Sequence, residues 1–214
     1  MKAQSMVDEK LLDTLRGIPT SHLSDNMKRM SGIYGLQRFH KGKKLVGRAL
    51  TVRVRPGDNL YIYLALTKAQ PGDVLLIDGS GEVANALIGE LIMLYGIQRG
   101  VAGYVIDGAV RDVEAFYDQD VPCYAKLANH RGPFKLGPGE VGGDVSICGQ
   151  VVKNGDYIVG DEDGVVVLPR NDVNKLVDLA LVTAAREEAI KAEIANGKLY
   201  QKWMFDTLEQ HKLV

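Results

Sequence analysis

This sequence of 214 residues has little of what usually indicates a metal–cysteine site or a nucleic-acid-binding surface. Its two cysteines, Cys123 and Cys148, have no CxxC spacing and no histidine at metal-ligand spacing, so neither a zinc site nor a disulfide is implied. The 26 basic residues nearly balance the 27 acidic residues, which gives a formal net charge of −1. Proteins that bind nucleic acid by neutralising phosphates usually have a basic excess. We therefore expect no nucleic-acid partner.

Long apolar segments are also missing. Stretches such as 60–66, 74–77 and 165–168 are far shorter than the roughly 20 residues of a membrane-spanning helix. The N-terminus lacks the apolar core of a secretory signal and turns acidic at Asp8. We therefore expect a cytoplasmic protein without a membrane partner, in keeping with the low cysteine content.

The usual motifs of nucleophilic catalysis are absent. No serine lies in a GxSxG motif. The four histidines, His22, His40, His130 and His211, are scattered along the chain. Cys123 lies inside a strand pattern, which predicts a small core residue and not a reactive thiolate.

What the sequence does contain is an alternation of strand and helix patterns, which predicts an α/β protein. The predicted strands are 46–54, 74–78, 103–107, 121–125, 145–148, 157–159 and 165–167, and the predicted helices are 8–16, 22–30, 60–68, 81–98, 111–117 and 171–196. A region rich in Gly and Pro covers residues 128–143. Loops of this length in a compact domain are often functional.

We expect a single domain over residues 1–214, with helical extensions at both ends. The C-terminal extension, residues 170–214, carries apolar side chains around Trp203. Apolar side chains in this number near a terminus need another surface to cover them. We therefore expect the extension to pack on a neighbouring subunit.

Residues 79–84 match the pattern GxGxxA between a predicted strand and a predicted helix. In dinucleotide-binding folds such glycines let the backbone approach a pyrophosphate at a helix N-terminus, and an acid such as Asp107 would follow the next strand. A tight glycine turn is also common without any ligand. The motif therefore leaves an NAD-dependent oxidoreductase as one alternative.

Residues 107–112, Asp-Gly-Ala-Val-Arg-Asp, follow the core of a predicted strand, where α/β proteins place ligands. The guanidinium of Arg111 could grip a carboxylate with two hydrogen bonds. The carboxylate of Asp112 could bind Mg²⁺ together with waters and substrate. The alternative is a simple helix start, at which Asp112 is favoured by the helix dipole and Arg111 is solvated.

Two motifs, Gly89-Glu90-Leu91 and residues 107–112, resemble the class II pyruvate aldolases that act on 4-hydroxy-4-methyl-2-oxoglutarate and 4-carboxy-4-hydroxy-2-oxoadipate. Twenty residues separate Glu90 from Arg111, which is the spacing of that family. Further matches are Gly57-Asp58-Asn59, Pro71-Gly72-Asp73-Val74 and residues 155–166, so the resemblance extends over roughly residues 20–190. The family is related to the regulator of ribonuclease activity A. The resemblance implies a swivelling β/β/α-type fold, and homotrimers or dimers of trimers with active sites at the subunit interfaces.

The resemblance also implies roles for individual residues. Asp112 corresponds to a direct metal ligand, and Glu90 to an acid that reaches the metal through water. Arg111 corresponds to the residue that holds the pyruvyl oxygens. Backbone amides near Gly89, Glu90 and Leu91 would bind the substrate carboxylate.

Three further residues match the family by position. Asn59 and Lys135 correspond to polar residues that line the substrate pocket. Glu187, which is followed by a second acid in Glu188, corresponds to a metal-site acid supplied by the adjacent subunit. The implied cofactor is Mg²⁺ or Mn²⁺, and the implied partner is a small oxo acid.

One departure from the family pattern bears on activity. The family has an acid three residues after the metal-binding Asp, where this chain has Ala115, and Glu114 lies one residue early. A non-catalytic regulator that binds a ribonuclease or a helicase is therefore the main alternative. The joint presence of Glu90, Arg111 and Asp112 favours a lyase. It would cleave a 4-hydroxy-2-oxo acid through a pyruvate enolate, with oxaloacetate decarboxylation as a side activity.

Overall fold

A mixed sheet of nine strands, a two-stranded sheet and flanking helices make up the computed structural model, which describes residues 9–214. The helices are α1 (Glu9–Arg16), α2 (Thr20–Asp25), α3 (Leu60–Lys68), α4 (Glu90–Gln98), α5 (Val113–Gln119), α6 (Val173–Ala195) and α7 (Lys202–Gln210). The strands are β1 (Gln37–Arg38), β2 (Leu45–Val54), β3 (Asp73–Asp78), β4 (Ala86–Ile88), β5 (Gly103–Val110), β6 (Cys123–Ala128), β7 (Gly139–Val141), β8 (Val145–Ile147), β9 (Gln150–Val152), β10 (Tyr157–Asp161) and β11 (Gly164–Leu168).

Four parallel strands form the middle of the large sheet in the order β6-β5-β3-β2. Every residue of β3 and of β5 is buried. Strands that are covered on both faces need continuous apolar runs, and this is the pattern that made them recognisable in the sequence. Because the strands are parallel, their carboxyl ends lie at one edge of the sheet, where α/β proteins bind ligands. The predicted α/β class is confirmed.

Three apolar clusters cover the sheet. Helices α3, α4 and α5 pack on one face, where Phe116 and Met93 are fully buried. The β8–β9 hairpin covers the opposite face and buries Ile147. Helices α1, α2 and α6 pack over β10 and β11. Each cluster is stabilised mainly by the removal of apolar surface from water, which contributes about 25 cal/mol per Å² of apolar surface buried.

The predicted helix from residue 81 to residue 98 is wrong in its first half. Residues 86–88 form β4, and the helix begins only at Glu90. The reason lies in β5, which continues to Val110 and does not end at Asp107. Strand β3 pairs with β5 as far as Asp107, and β4 then takes its place beside Ala109 and Val110. Backbone groups of a buried strand need partners, and β4 supplies them.

Other boundaries were close to expectation. The predicted helix 60–68 is confirmed to the residue as α3. Helix α2 ends at Asp25 and not near Met30, because Lys28 and Arg29 adopt positive φ angles that a right-handed helix excludes. The short strands β1, β7 and β9 and the helix α7 were not predicted.

The C-terminal extension consists of α6 and α7. The first half of α6 packs into the core through Leu176, Val177 and Ala180, whereas α7 buries none of its residues. Trp203 of α7 is 60% exposed. Packing of this extension on another subunit stays a prediction.

Within residues 9–214, no helix combines the length and the apolar character that crossing a membrane requires. The expected cytoplasmic location stays a prediction.

Candidate active site

The carboxyl end of β5 carries Arg111 and Asp112, and both are tied to the neighbouring strand β4. The Arg111 backbone N–H donates to the Ile88 carbonyl oxygen at 3.0 Å. Asp112 precedes α5 in a left-handed conformation, with φ of 53°, and its side chain does not cap its own helix. Instead, Asp112 Oδ2 accepts the Glu90 backbone N–H at 3.1 Å. Asp112 therefore stands at a helix start, as the simpler interpretation expects, but its carboxylate is bonded to the start of α4 and not to its own helix.

Gly89 allows this close approach. A Cβ atom at residue 89 would lie 2.4 Å from Asp112 Oδ2 and 2.8 Å from Arg111 Cγ. Real Cβ atoms do not come this near to other heavy atoms, so a side chain here would displace Arg111, Asp112 or both. The glycine thus brings the start of α4 against the pair that follows β5.

The two charged groups face each other and remain open to solvent. Arg111 Nε lies 3.4 Å from Asp112 Oδ2, and both side chains are about two-fifths exposed, at 41% and 43%. Within residues 9–214, neither the Arg111 Nη atoms nor Asp112 Oδ1 forms a hydrogen bond. The Glu90 carboxylate also has no hydrogen-bond or ion-pair partner in that part of the chain. These groups therefore keep donors and acceptors available for a ligand.

Asn59 is a buried polar residue that lies beside the same edge of the sheet. Its Nδ2 donates to the Leu87 carbonyl oxygen of β4 at 3.1 Å. Its Oδ1 is buried and has no partner among the described residues. Buried polar atoms almost always have partners, so an unpaired one next to a candidate site indicates room for a water or a ligand group.

The segment 129–137 runs along the site and contains Lys135. Its Arg131 carbonyl oxygen accepts the Ala86 N–H at 2.8 Å, and a Cβ atom at Gly132 would lie 3.2 Å from Arg111 Nη1. Lys135 is exposed and forms no ion pair within residues 9–214. The segment that approaches Arg111 at Gly132 thus also carries, three residues further on, an exposed ammonium group without an ion-pair partner among the described residues.

A comparison with models of protein families matches residues 20–167 to the RraA-like model, described as Aldolase/RraA. This match extends over more than half of the chain.

The chain belongs to the Aldolase/RraA family.

Individual relatives agree with this family. A Halalkalibacterium halodurans protein named "Putative 4-hydroxy-4-methyl-2-oxoglutarate aldolase" is 31% identical over 194 residues, which cover 90% of this chain and 92% of the relative. A Thermus thermophilus protein named "4-hydroxy-4-methyl-2-oxoglutarate aldolase" is 34% identical over 126 residues, or 59% of this chain and 76% of the relative. The solved structure named "RNA-processing inhibitor RraA" from Thermus thermophilus has a TM-score of 0.65 at 31% identity, covering 71% of this chain and 92% of that one. The predicted family and the swivelling fold are confirmed.

The dinucleotide interpretation of this Aldolase/RraA member loses its structural basis. No helix begins at residues 79–84, because the chain turns into β4. Gly79 and Gly108 instead leave the space that Leu87 fills, since a Cβ at either position would lie within 2.8 Å of Leu87 Cδ1. Asp107 is paired with Lys126 Nζ at 3.2 Å inside the sheet.

The surroundings of the two cysteines also show whether either could act as a nucleophile. Cys123 is fully buried in β6, and burial raises the pKa of its thiol. Burial also raises the pKa of the Cys148 thiol to about 11, with the negative charge of Asp107 acting in the same direction. Both cysteines are free thiols. Neither is suited to nucleophilic catalysis.

Glu187 is not brought to the other site residues within one chain. Its Oε2 lies 2.9 Å from His22 Nε2, where α6 packs on α2. A role for Glu187 in the site of an adjacent subunit therefore stays a prediction. Asp58, which lies in the Gly57-Asp58-Asn59 motif at the start of α3, is buried between α3 and the Lys135 segment.

Proposed function

We propose that this chain is a divalent-metal-dependent lyase that cleaves a 4-hydroxy-2-oxo acid, such as 4-hydroxy-4-methyl-2-oxoglutarate, into pyruvate and a second oxo acid. The observation that carries the proposal is the meeting of Arg111 and Asp112 with the start of α4, where Gly89 leaves no side chain between them. The aldolase names of relatives that are 31% and 34% identical support the same chemistry.

The donor set suits Mg²⁺ or Mn²⁺. The described residues contain no group of three or more His, Cys, Asp or Glu side chains that could hold a metal. Mg²⁺ does not need such a group, because it typically uses one or two carboxylates and completes its shell with waters and substrate oxygens. Asp112 would bind the cation directly, and Glu90 would bind it through a water. When bound, the cation supplies Lewis-acid stabilisation at the 2-oxo oxygen of the substrate.

Arg111 would stabilise the negative charge that develops when the C–C bond breaks. Its Nη donors have no hydrogen-bond partner within residues 9–214, and its Nε lies 3.4 Å from Asp112 Oδ2, so the Nη atoms can contact the pyruvyl oxygens. Preorganised donors of this kind usually contribute most to the rate enhancement. No lysine is needed as a covalent nucleophile.

Glu90 would hold the water that takes the proton from the C4 hydroxyl. The C3–C4 bond then breaks, its electron pair forms the enolate of pyruvate, and C4 becomes the carbonyl carbon of the second oxo acid. A proton added at C3 completes pyruvate. Oxaloacetate would lose CO₂ through the same enolate, which makes decarboxylation the expected side activity.

Substrate carboxylates would be bound by two kinds of donor. The start of α4 offers the backbone N–H groups of Gly89 and Leu91 at a helix N-terminus, which favours an anion, whereas the Glu90 N–H is already donated to Asp112 Oδ2. Lys135 adds a positive charge. The Asn59 amide below β4 would accept a hydrogen bond from a substrate hydroxyl or a water through its Oδ1.

A homotrimer or a dimer of trimers would place these sites at subunit interfaces. Large apolar side chains stand exposed around the site, among them Leu91 at 75%, Phe134 at 56% and Leu136 at 71%. Exposed apolar patches of this kind mark protein–protein interfaces. Glu187 of the neighbouring subunit and its C-terminal extension would then complete the site.

Incubation with oxaloacetate and Mg²⁺, with pyruvate followed by a coupled lactate dehydrogenase assay, tests the proposal. We expect pyruvate formation that EDTA abolishes and that Mg²⁺ or Mn²⁺ restores. Arg111→Ala should lower kcat by about 100-fold or more, while the circular dichroism spectrum stays unchanged. Activity that survives EDTA, or wild-type turnover by Arg111→Ala, would contradict the proposal.

A regulator of RNA processing is the second candidate, because the solved Thermus thermophilus relative is named as an inhibitor. Ala115 also fits it, since this residue packs against the core where the aldolase pattern has an acid. A wild-type protein that forms no pyruvate from oxaloacetate or from a panel of 4-hydroxy-2-oxo diacids, yet retains a ribonuclease or helicase in a pull-down, would favour the regulator.

A further inference from the structure

Asp58 is a buried carboxylate beside the candidate site, and it joins two segments that are distant in the chain. The residue is 1% exposed and stands just before α3. Its Oδ1 accepts the Leu60 backbone N–H at 2.9 Å. Its Oδ2 accepts the backbone N–H groups of Leu136 at 2.6 Å and Gly137 at 3.0 Å. One carboxylate thus fastens the start of α3 to the segment that contains Lys135.

Backbone hydrogen bonds fix Phe134, the residue that precedes Lys135. The Phe134 N–H donates to the Gly57 carbonyl oxygen at 2.8 Å, and the Phe134 carbonyl oxygen accepts the Asn59 N–H at 3.0 Å. Lys135 therefore lies between two residues whose backbones are both bound to residues 57–59. Its own side chain is exposed and has no ion-pair partner within residues 9–214.

The bonds to Asp58 are strong and hard to replace. Hydrogen bonds from N–H groups to a carboxylate are roughly twice as strong as bonds between neutral groups. A buried donor that loses its acceptor costs the full desolvation penalty. Because the Leu136 and Gly137 donors point at the same oxygen, loss of that oxygen would release both at once.

We propose that Asp58 is a positioning residue, which holds segment 134–137 so that the Lys135 ammonium group is directed at the substrate carboxylate beside Arg111. This inference rests on the proposed function and deepens it. A displacement of about 1 Å in a substrate-positioning group can lower catalytic efficiency by about 100-fold. Since Lys135 binds a carboxylate and does not act on the breaking bond, its misplacement raises KM more than it lowers kcat.

Two variants at this position and one matched control test the assignment. Asp58→Asn offers only one acceptor oxygen, so it cannot serve Leu60 and the Leu136–Gly137 pair together. Asp58→Ser keeps an acceptor near Leu60 and is too short to reach the segment. Asp156→Asn is the control, because Asp156 is equally a buried carboxylate that accepts two backbone N–H groups, from Lys153 at 2.9 Å and Arg170 at 3.1 Å.

The first readout is independent of activity. Trypsin cleavage after Lys135, followed by mass spectrometry of the fragments, reports how well the segment is held. We expect cleavage about tenfold faster in both Asp58 variants than in wild type, and unchanged in Asp156→Asn. Cleavage at the wild-type rate in Asp58→Ser would overturn the assignment, even if Asp58→Asn does not fold.

The second readout is a double-mutant cycle with oxaloacetate and Mg²⁺. Lys135→Met and Asp58→Ser should each raise KM about tenfold with kcat within about threefold, and the double variant should add less than about threefold to KM. Effects on KM that multiply to about a hundredfold would show that Asp58 does not act through Lys135. A wild-type protein without pyruvate formation would overturn the proposed function, whereas the trypsin result would still decide whether Asp58 holds the segment.

Discussion

Asp107 and Asp112 belong to the same chain segment and both have a cationic neighbour, yet their surroundings differ. The Asp107 side chain is 10% exposed, and its oxygens are taken by Lys126 Nζ at 3.2 Å and by the Cys148 backbone N–H at 3.0 Å. The hydrogen bond to Asp107 raises the pKa of the Lys126 ammonium group. Asp112 is 43% exposed and keeps one oxygen without a partner among the described residues.

The difference separates a charge that supports the fold from a charge that is available to a ligand. A buried carboxylate with all acceptors used can only be removed at a cost in stability. An exposed carboxylate that accepts only one N–H group, as Asp112 does, has little stability to lose. Positive φ at a residue other than glycine is uncommon and often marks a functional position. The comparison therefore predicts opposite responses to the same substitution.

The largest effect is expected from Asp112→Asn. Asparagine tolerates the left-handed conformation, so the free energy of unfolding in urea should change by less than about 1 kcal/mol. Loss of the negative charge removes the direct metal ligand of the proposed site, and metal-dependent pyruvate formation should fall by about 100-fold or more. Turnover within about threefold of wild type would contradict the proposed difference between Asp112 and Asp107.

Asp107→Asn should give the reverse pattern. It leaves the Lys126 charge without its partner inside the sheet, so the free energy of unfolding should fall by about 2–3 kcal/mol. The partial exposure of Lys126 keeps the loss below that of a fully buried pair. Pyruvate formation per folded molecule should stay within about threefold of wild type. A large loss of kcat without a loss of stability would show that Asp107 also serves the reaction.

An intermediate case is Gly89→Ala, because the new Cβ would lie 2.4 Å from Asp112 Oδ2. Overpacking of this kind typically costs about 1–3 kcal/mol. Here the strain would be relieved by moving the exposed Asp112, so we expect a loss of about 1 kcal/mol in stability and a fall of about tenfold in pyruvate formation. Gly42→Ala is a suitable control, since a Cβ there meets no atom within 4 Å and its φ lies outside the left-handed range.

The sequence could single out the charged residues of the candidate site but not everything that surrounds them. Glu90, Arg111 and Asp112 were recognisable because their types and spacing match a family motif. Strand β4 was missed because residues 86–88 are too short an apolar run to separate strand from helix, and its pairing depends on where β5 ends. The bonds of Asp58 to the Lys135 segment could not be predicted, since Leu136 is 78 residues away in the chain. Local patterns carry no information on such contacts.

The smallest effect is expected at acid pH. It distinguishes a carboxylate whose two oxygens are both hydrogen-bonded, as in Asp58, from one with an oxygen that has no partner among the described residues, as in Asp112. Burial of Asp58 disfavours its charged form, but the backbone N–H groups of Leu60, Leu136 and Gly137 outweigh burial and lower the pKa of the carboxyl. A carboxyl whose pKa is lower in the folded protein adds stability that is complete above its unfolded pKa, about 3.9, and is lost as the pH falls through the folded pKa. Urea unfolding of wild type and Asp58→Asn should therefore differ by a constant amount from pH 7 to about pH 5, and the difference should shrink below about pH 4. A difference that stays constant down to pH 2 would show that the Asp58 carboxylate is not held in its charged form by these three donors.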